Sequence, residues 1–215
     1  MGKGKTDDVS EILSLTIRYF LMLAIPLCFI SLLVSQDLIT LLASDKYAKS
    51  AEIIPIVLIG VFLQGLDFPF SAGLHFAKRT GIFLVVMIFA ALLNIGLNIL
   101  VVPQFGIMGA AYATLVSYIA YILAFYFISR RHFKVAVPYM GIIHYFLLGC
   151  ICFLVVDYCM SFWYTSNRLW NVLGISVVYL ALYIILLCLT DNVERGHAKK
   201  CLQFIRKGFV RYYKT

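Results

Sequence analysis

The sequence carries too little charge to be a soluble domain. Only 13% of its 215 residues are charged, 63% are apolar, and the mean hydropathy is +0.95. Soluble domains hold about 25% charged residues, because a single core must be covered by a polar surface. One core of this length cannot hide so much apolar side chain. A bilayer accepts it, at about 20 apolar residues per spanning helix.

Catalytic and cofactor chemistry is missing as well. His75, His132, His144 and His197 have no metal-ligand spacing. The cysteines (Cys28, Cys150, Cys152, Cys159, Cys188 and Cys201) contain no CxxC pair and read as small apolar packing residues. Gly4-Lys5-Thr6 has the ending of a phosphate loop but no glycine or strand before it. Gly2 with Thr6 fits the loose myristoylation pattern, but a lipid adds little to a chain that already spans. No Ser/His/Asp set or carboxylate pair survives placement on the helices. The expectation is therefore no enzyme, no cofactor and no metal. Asp7, Asp8 and Glu11 precede the first apolar run and no small-residue cleavage site follows it, so no cleavable signal is expected.

What is present is a series of six apolar runs. They cover Thr16 to Ser35, Ile53 to Phe76, Ile82 to Val102, Ile107 to Ile128, Met140 to Met160 and Leu169 to Leu189. The fold class expected is all-α: a polytopic membrane bundle of about six helices. Residues 1–190 form the bundle and residues 191–215 a basic cytoplasmic tail. Fifteen of the eighteen lysines and arginines fall on one side of this topology, leaving Lys46, Lys49 and Arg168 on the other. Cations collect on the cytoplasmic side, so both ends are expected inside. The net charge of +8 is then a topology signal and calls for no nucleic acid. In the tail, Ala198, Leu202, Ile205, Phe209 and Tyr212 recur at helical spacing opposite Lys199, Lys200, Arg206, Lys207 and Arg211. That pattern fits an amphipathic helix on an anionic leaflet, or a plain solvated tail.

Polar groups inside the runs are the candidate site. An ionisable side chain in hydrocarbon costs about 3 kcal/mol on insertion scales and faces a cavity or a partner. Asp67 lies in the second run, within Gln64-Gly65-Leu66-Asp67-Phe68-Pro69. Pro69 has no amide to give the Gly65 carbonyl, so a kink is expected beside an acid. Transporters use such breaks at substrate and ion sites; a structural kink with a paired aspartate is the alternative. Asn94 and Asn98 share a face of the third run, and Gly109, Ala113 and Ser117 share one of the fourth. These suit close helix packing or substrate contact. Pro26 is a second expected kink. Arg18, Lys78 and Arg79 sit at the inner mouth as candidates for head-group capture, while Asp157 is placed at the outer interface.

The stretch from Ala90 to Tyr118, AALLNIGLNILVVPQFGIMGAAYATLVSY, resembles polysaccharide flippases, the O-antigen and capsule exporters of the multidrug/oligosaccharidyl-lipid/polysaccharide exporter superfamily. The matching features are Asn94 and Asn98, the Pro103 turn, Gly106, Gly109-Ala110-Ala111, Ala113-Thr114 and Ser117-Tyr118. Pro26, the Ser44 to Tyr47 segment and Ala77-Lys78-Arg79-Thr80 extend the resemblance over about Ile17 to Lys134. It implies a transporter of lipid-linked oligosaccharide, for lipopolysaccharide or other surface polysaccharide, in the bacterial cytoplasmic membrane. It also implies two helical bundles around a cavity, of which this chain matches the C-terminal one. The partners implied are the bilayer, the lipid-linked sugar, and either an N-terminal half or a second copy. A cation-coupled drug exporter of the same superfamily, with Asp67 as carrier, and a non-transporting membrane subunit are the alternatives.

Overall fold

The computed structural model describes residues 3–76, 80–130, 136–165 and 167–190. Among them there is no strand. The chain forms α1 (Lys3–Leu42), a short 3-10 helix (Asp45–Glu52), α2 (Ile53–Gly65), α3 (Asp67–Phe76), α4 (Thr80–Ser129), α5 (Tyr139–Trp163) and α6 (Arg168–Thr190).

The 50 residues of α4 are a hairpin, not a rod. Along a straight helix Asn94 and Thr114 would stand about 30 Å apart at about 1.5 Å per residue. Instead Asn94 Nδ2 lies 3.4 Å from Thr114 Oγ1, and the Phe83 and Phe125 rings are 5.0 Å apart. The reversal falls at Gly106, with φ 57° and ψ −138°, a region costly to any residue bearing a Cβ. Three residues on, a Cβ at Gly109 would stand 2.8 Å from the Val101 carbonyl oxygen, so glycine permits the arms to meet. The third and fourth apolar runs are thus antiparallel neighbours, as their short connection implies.

Five described helical stretches are long and apolar enough to cross a membrane. Counting both arms of α4, the bundle makes six crossings. The side chains on its outside agree with a lipid surround. Leu84, Val85, Leu92, Ile99 and Leu100 on α4 are all mostly exposed. A soluble monomer rarely exposes so large an apolar surface, whereas lipid requires it.

α1 is the spine. Its 40 residues make it about 60 Å long, twice the hydrocarbon thickness, so the helix outruns the Thr16 to Ser35 span at both ends. Ile17 joins Leu66, Phe70, Leu74 and Phe125 in one core, against α2, α3 and α4. Further along, Ile30 and Val34 join Leu148, Cys152 and Tyr179 in another, against α5 and α6. Helix packing here depends on close fit rather than on leaving water. Gly149 shows this: a Cβ there would meet the Phe29 ring at 2.6 Å.

The two prolines expected to kink their helices are accommodated differently. α1 runs unbroken through Pro26. Pro26 cannot bond the Met22 carbonyl, and the Tyr183 hydroxyl donates to that carbonyl from α6 at 3.3 Å. In the second run the helix stops at Gly65 and restarts at Asp67. Pro69 therefore falls in the first turn of α3, where a missing amide costs nothing.

Polar contacts sort the ends of the helices. Arg18 Nε donates to the Tyr145 hydroxyl at 2.8 Å, His144 Nε2 lies 3.1 Å from Thr190 Oγ1, and the Tyr126 and Tyr139 hydroxyls are 2.9 Å apart. The Arg168–Asp45 ion pair, at 2.7 Å, gathers the opposite end. The start of α1 and the end of α6 therefore share one side. Lys78, Arg79 and the 191–215 tail lie outside the described residues.

Candidate functional site

Asp67 opens α3 at the break. Tyr121 on α4 and Ser71 and His75 on α3 are its polar neighbours. Its Oδ1 is buried and has no hydrogen-bond partner among the described residues. Gln64 lies one turn before, on the exposed side of α2 with Val57 and Val61, and Phe68 of α3 is exposed as well. Gly65 is where α1 crosses: a Cβ there would run into the Phe20 ring.

Asn94 and Asn98 are bound into the hairpin. Asn98 Nδ2 donates to the Asn94 carbonyl at 2.8 Å and to its Oδ1 at 3.1 Å, and Asn94 Nδ2 reaches across to Thr114. Thr114 precedes Tyr121 by two turns, about 10 Å along the helix. The two asparagines and Asp67 are therefore separate levels of one bundle, not a single cluster.

Arg18 occupies the end of α1 that faces α5. Its partner Tyr145 is fully buried, so the guanidinium is held by a rigid anchor. Gly141 lies beneath it, with a Cβ position 3.8 Å from Arg18 Nε. This is a fixed positive charge at the membrane boundary, and arginine there suits a phosphate or carboxylate better than lysine would. No group of three metal-ligating side chains occurs among the described residues.

Sequence reasoning missed a polar cluster at the opposite end. Asp37 is only 6% exposed and accepts a hydrogen bond of 2.6 Å from the Tyr164 hydroxyl. That bond to a carboxylate is the main reason the Tyr164 hydroxyl titrates above the usual phenol range. Beside it, Asn171 Oδ1 accepts from the Thr165 amide and hydroxyl, while Nδ2 donates back to the Thr165 carbonyl. Tyr164, Thr165 and Asn171 also line an apolar cleft of about 670 Å³ between α5 and α6, with Val156, Phe162, Trp170 and Ile175. The signal was weak because the apolar run ends at Ser35, and an acid two residues beyond looked like an ordinary boundary.

The MatE family model matches residues 1–100. A 117-residue stretch is 23% identical to the probable low-salt glycan biosynthesis flippase Agl15 of Haloferax volcanii, covering 54% of this chain and 25% of that protein. The fold superposes on the lipid II flippase MurJ, in its inward closed conformation, with a TM-score of 0.68 and 21% identity. That match covers 84% of this chain and 40% of MurJ. The class of protein is thus a multi-pass membrane helical bundle with the fold seen in part of MurJ. These matches support the resemblance to the multidrug/oligosaccharidyl-lipid/polysaccharide exporter superfamily drawn from the Ala90 to Tyr118 stretch. The chain spans a quarter to two-fifths of the length of these relatives.

Proposed function

We propose that this chain is one bundle, the C-terminal one, of a transporter that moves lipid-linked oligosaccharide across the cytoplasmic membrane for surface glycan assembly. O-antigen precursors are one substrate of that class. The observation that carries the reading is Arg18, pinned by the buried Tyr145 at the membrane boundary of a bundle with a flippase fold. A lipid-linked sugar presents a diphosphate at that depth, and a guanidinium binds phosphate oxygens through two parallel N–H donors. Lys78 and Arg79, at the same mouth by sequence, would add charge. Gln64 and the Asp67 region line the path further in, and Asn94 and Asn98 hold the hairpin that forms one wall. No lysine or arginine lies in mid-membrane in any of the six apolar runs, so the deeper cation belongs to the companion bundle.

The test is accumulation. Cells lacking the chain should hold undelivered lipid-linked oligosaccharide in the inner leaflet, and Arg18→Gln should restore export less well than Arg18→Lys. Normal export and no accumulation would remove the flippase reading.

The orientation places the Arg18 and Arg130 end in the cytoplasm, from the fifteen-to-three split of cations. In a cysteine-free background, Lys46→Cys should react with an impermeant maleimide applied outside. Arg130→Cys should react only after permeabilisation. The opposite pattern would invert the assignment.

A further inference from the structure

We propose that the cleft between α5 and α6 binds a membrane phospholipid with an amine-bearing head group, one acyl chain lying in the cleft while the phosphate and ammonium meet Arg168 and Asp45. The proposal is independent of the flippase reading and of the Arg18 end. It starts from a glycine. Gly149, on α5, lets helices close up, since a Cβ there would meet the Phe29 ring at 2.6 Å. Gly174, on α6, does the reverse: a Cβ there would meet nothing from the rest of the bundle within 4 Å. Gly174 lines the cleft of about 670 Å³ and widens it.

The walls are two helical stripes. Val156, Cys159 and Met160 stand at i, i+3 and i+4 on α5, and Asn171, Gly174, Ile175 and Val178 at i, i+3, i+4 and i+7 on α6. From Asn171 to Val178 the cleft follows α6 for about 10 Å, at about 1.5 Å per residue. Val156 and Ile175 are buried and make the floor, whereas Phe162, Trp170 and Val178 are mostly exposed and make the rim. The cleft therefore opens sideways, toward hydrocarbon when the bundle sits in a bilayer. An apolar gap of this kind does not hold water, and its lining forfeits dispersion contacts unless a chain fills it.

Polarity along the cleft names the occupant. Its polar lining is confined to Tyr164, Thr165 and Asn171, where α5 gives way to α6. Tyr164 and Trp170 are exposed there, as aromatic residues are at a membrane–water interface. An occupant must be apolar along α6 and polar at this level. Arg168, between the lining residues Thr165 and Trp170, meets Asp45 of the 3-10 helix at 2.7 Å, through Nη2 and Oδ1. The two side chains are 42% and 77% exposed, so a head group can reach both. A guanidinium has further N–H donors in a fork that fits phosphate, and a carboxylate has a second oxygen to accept from an ammonium. A fixed cation beside a fixed anion matches a phosphate beside an amine. A fatty acid, a phosphatidylglycerol or a polyprenyl phosphate has no cation to answer Asp45. Seated this way, the lipid joins α5, α6 and the 3-10 helix.

The test is retention of lipid by the full chain. The chain is purified in detergent, exchanged with vesicles of equal parts phosphatidylethanolamine, phosphatidylglycerol and polyprenyl phosphate, and its bound lipid is counted by native mass spectrometry. A single phosphatidylethanolamine per chain is expected. Gly174→Leu should fill the cleft and abolish retention. Val178→Trp fills it from the exposed rim, leaves the helix backbone alone, and should give the same loss. The double variant Arg168→Gln with Asp45→Asn should still hold a phospholipid but lose the preference for phosphatidylethanolamine. A wild-type chain that retains no phospholipid, or undiminished retention in the cleft-filling variants, would overturn the site. Equal retention of phosphatidylglycerol by the wild type would overturn the head-group match. Preferential retention of polyprenyl phosphate would assign the cleft to an isoprenoid carrier and overturn the proposal. Failure of the oligosaccharide export assay would touch only the flippase reading.

Discussion

Reconstituted as a monomer, this chain should move no lipid-linked oligosaccharide; activity should return when a companion bundle or a second copy is present. Alternating access requires two parts that rock around a shared site. On the proposed function the six crossings here make one such part, organised around a single spine, α1. Its polar interior is used mainly within the bundle: Asn98 on Asn94, Asn94 toward Thr114, Arg18 on Tyr145. What it leaves outward is Gln64 and the apolar face of α2 beside it. The MurJ match agrees in scale, since this chain covers 40% of that fold. An even number of crossings also places both ends of the described bundle on one side. Two copies can therefore stand parallel about an axis along the membrane normal. The measurement is flipping of a lipid-linked sugar in liposomes, with subunits counted by single-molecule bleaching in the same vesicles. Transport by vesicles holding single copies would defeat the two-part mechanism. Transport confined to paired or complemented vesicles would establish it.

Much of the bundle could be read from sequence because lipid imposes simple rules. Apolar length located the crossings, and the short connection between the third and fourth runs implied the α4 hairpin, whose reversal falls at Gly106 with its positive φ. The break near Asp67 was legible from Pro69, but not its form. Proline is equally content at a kink or in a first turn, and only the packing of Leu66 against Ile17 and Phe70 selects the latter. The long-range polar ties were not legible. Arg18 and Tyr145 are 127 residues apart, as are Asp37 and Tyr164, while Met22 and Tyr183 are 161 apart. Each tyrosine sits in an apolar run where an aromatic residue is expected anyway or just past its end. Nothing local marks which hydroxyl finds a distant partner. Pro26 could have hinted that the Met22 carbonyl needs a donor, but not that α6 supplies it.

The same distinction between buried and exposed partners predicts very different roles for two acids at the end of the bundle where α1 meets the α5–α6 connection. Asp37→Ala should destabilise the folded bundle by about 1.5–3 kcal/mol, the usual worth of a hydrogen bond to a charged group when its partner is left behind. Asp37 is 6% exposed, its bond to Tyr164 is 2.6 Å, and it ties α1 to the connection between α5 and α6. Asp45 forms a full ion pair, at 2.7 Å from Arg168. Yet its side chain is 77% exposed and that of Arg168 is 42% exposed. Water screens such a pair, so Asp45→Ala should cost about 0–1 kcal/mol. Tyr164→Phe should reproduce most of the Asp37→Ala loss, and the double variant should fall well short of their sum, because both remove one bond. Asp37→Asn, which keeps an acceptor, should recover part of it. Thermal unfolding of the purified chain in detergent, followed by loss of the monodisperse species, gives the order. Equal losses for Asp37→Ala and Asp45→Ala would show that burial does not set the strength of this clasp. Additive losses for Asp37→Ala and Tyr164→Phe would show that the two side chains act apart. With the clasp intact, α5 and α6 follow this end of α1; without it, the apolar core around Cys152 and Tyr179, the exposed Arg168–Asp45 pair and the ties at Arg18 and Met22 remain.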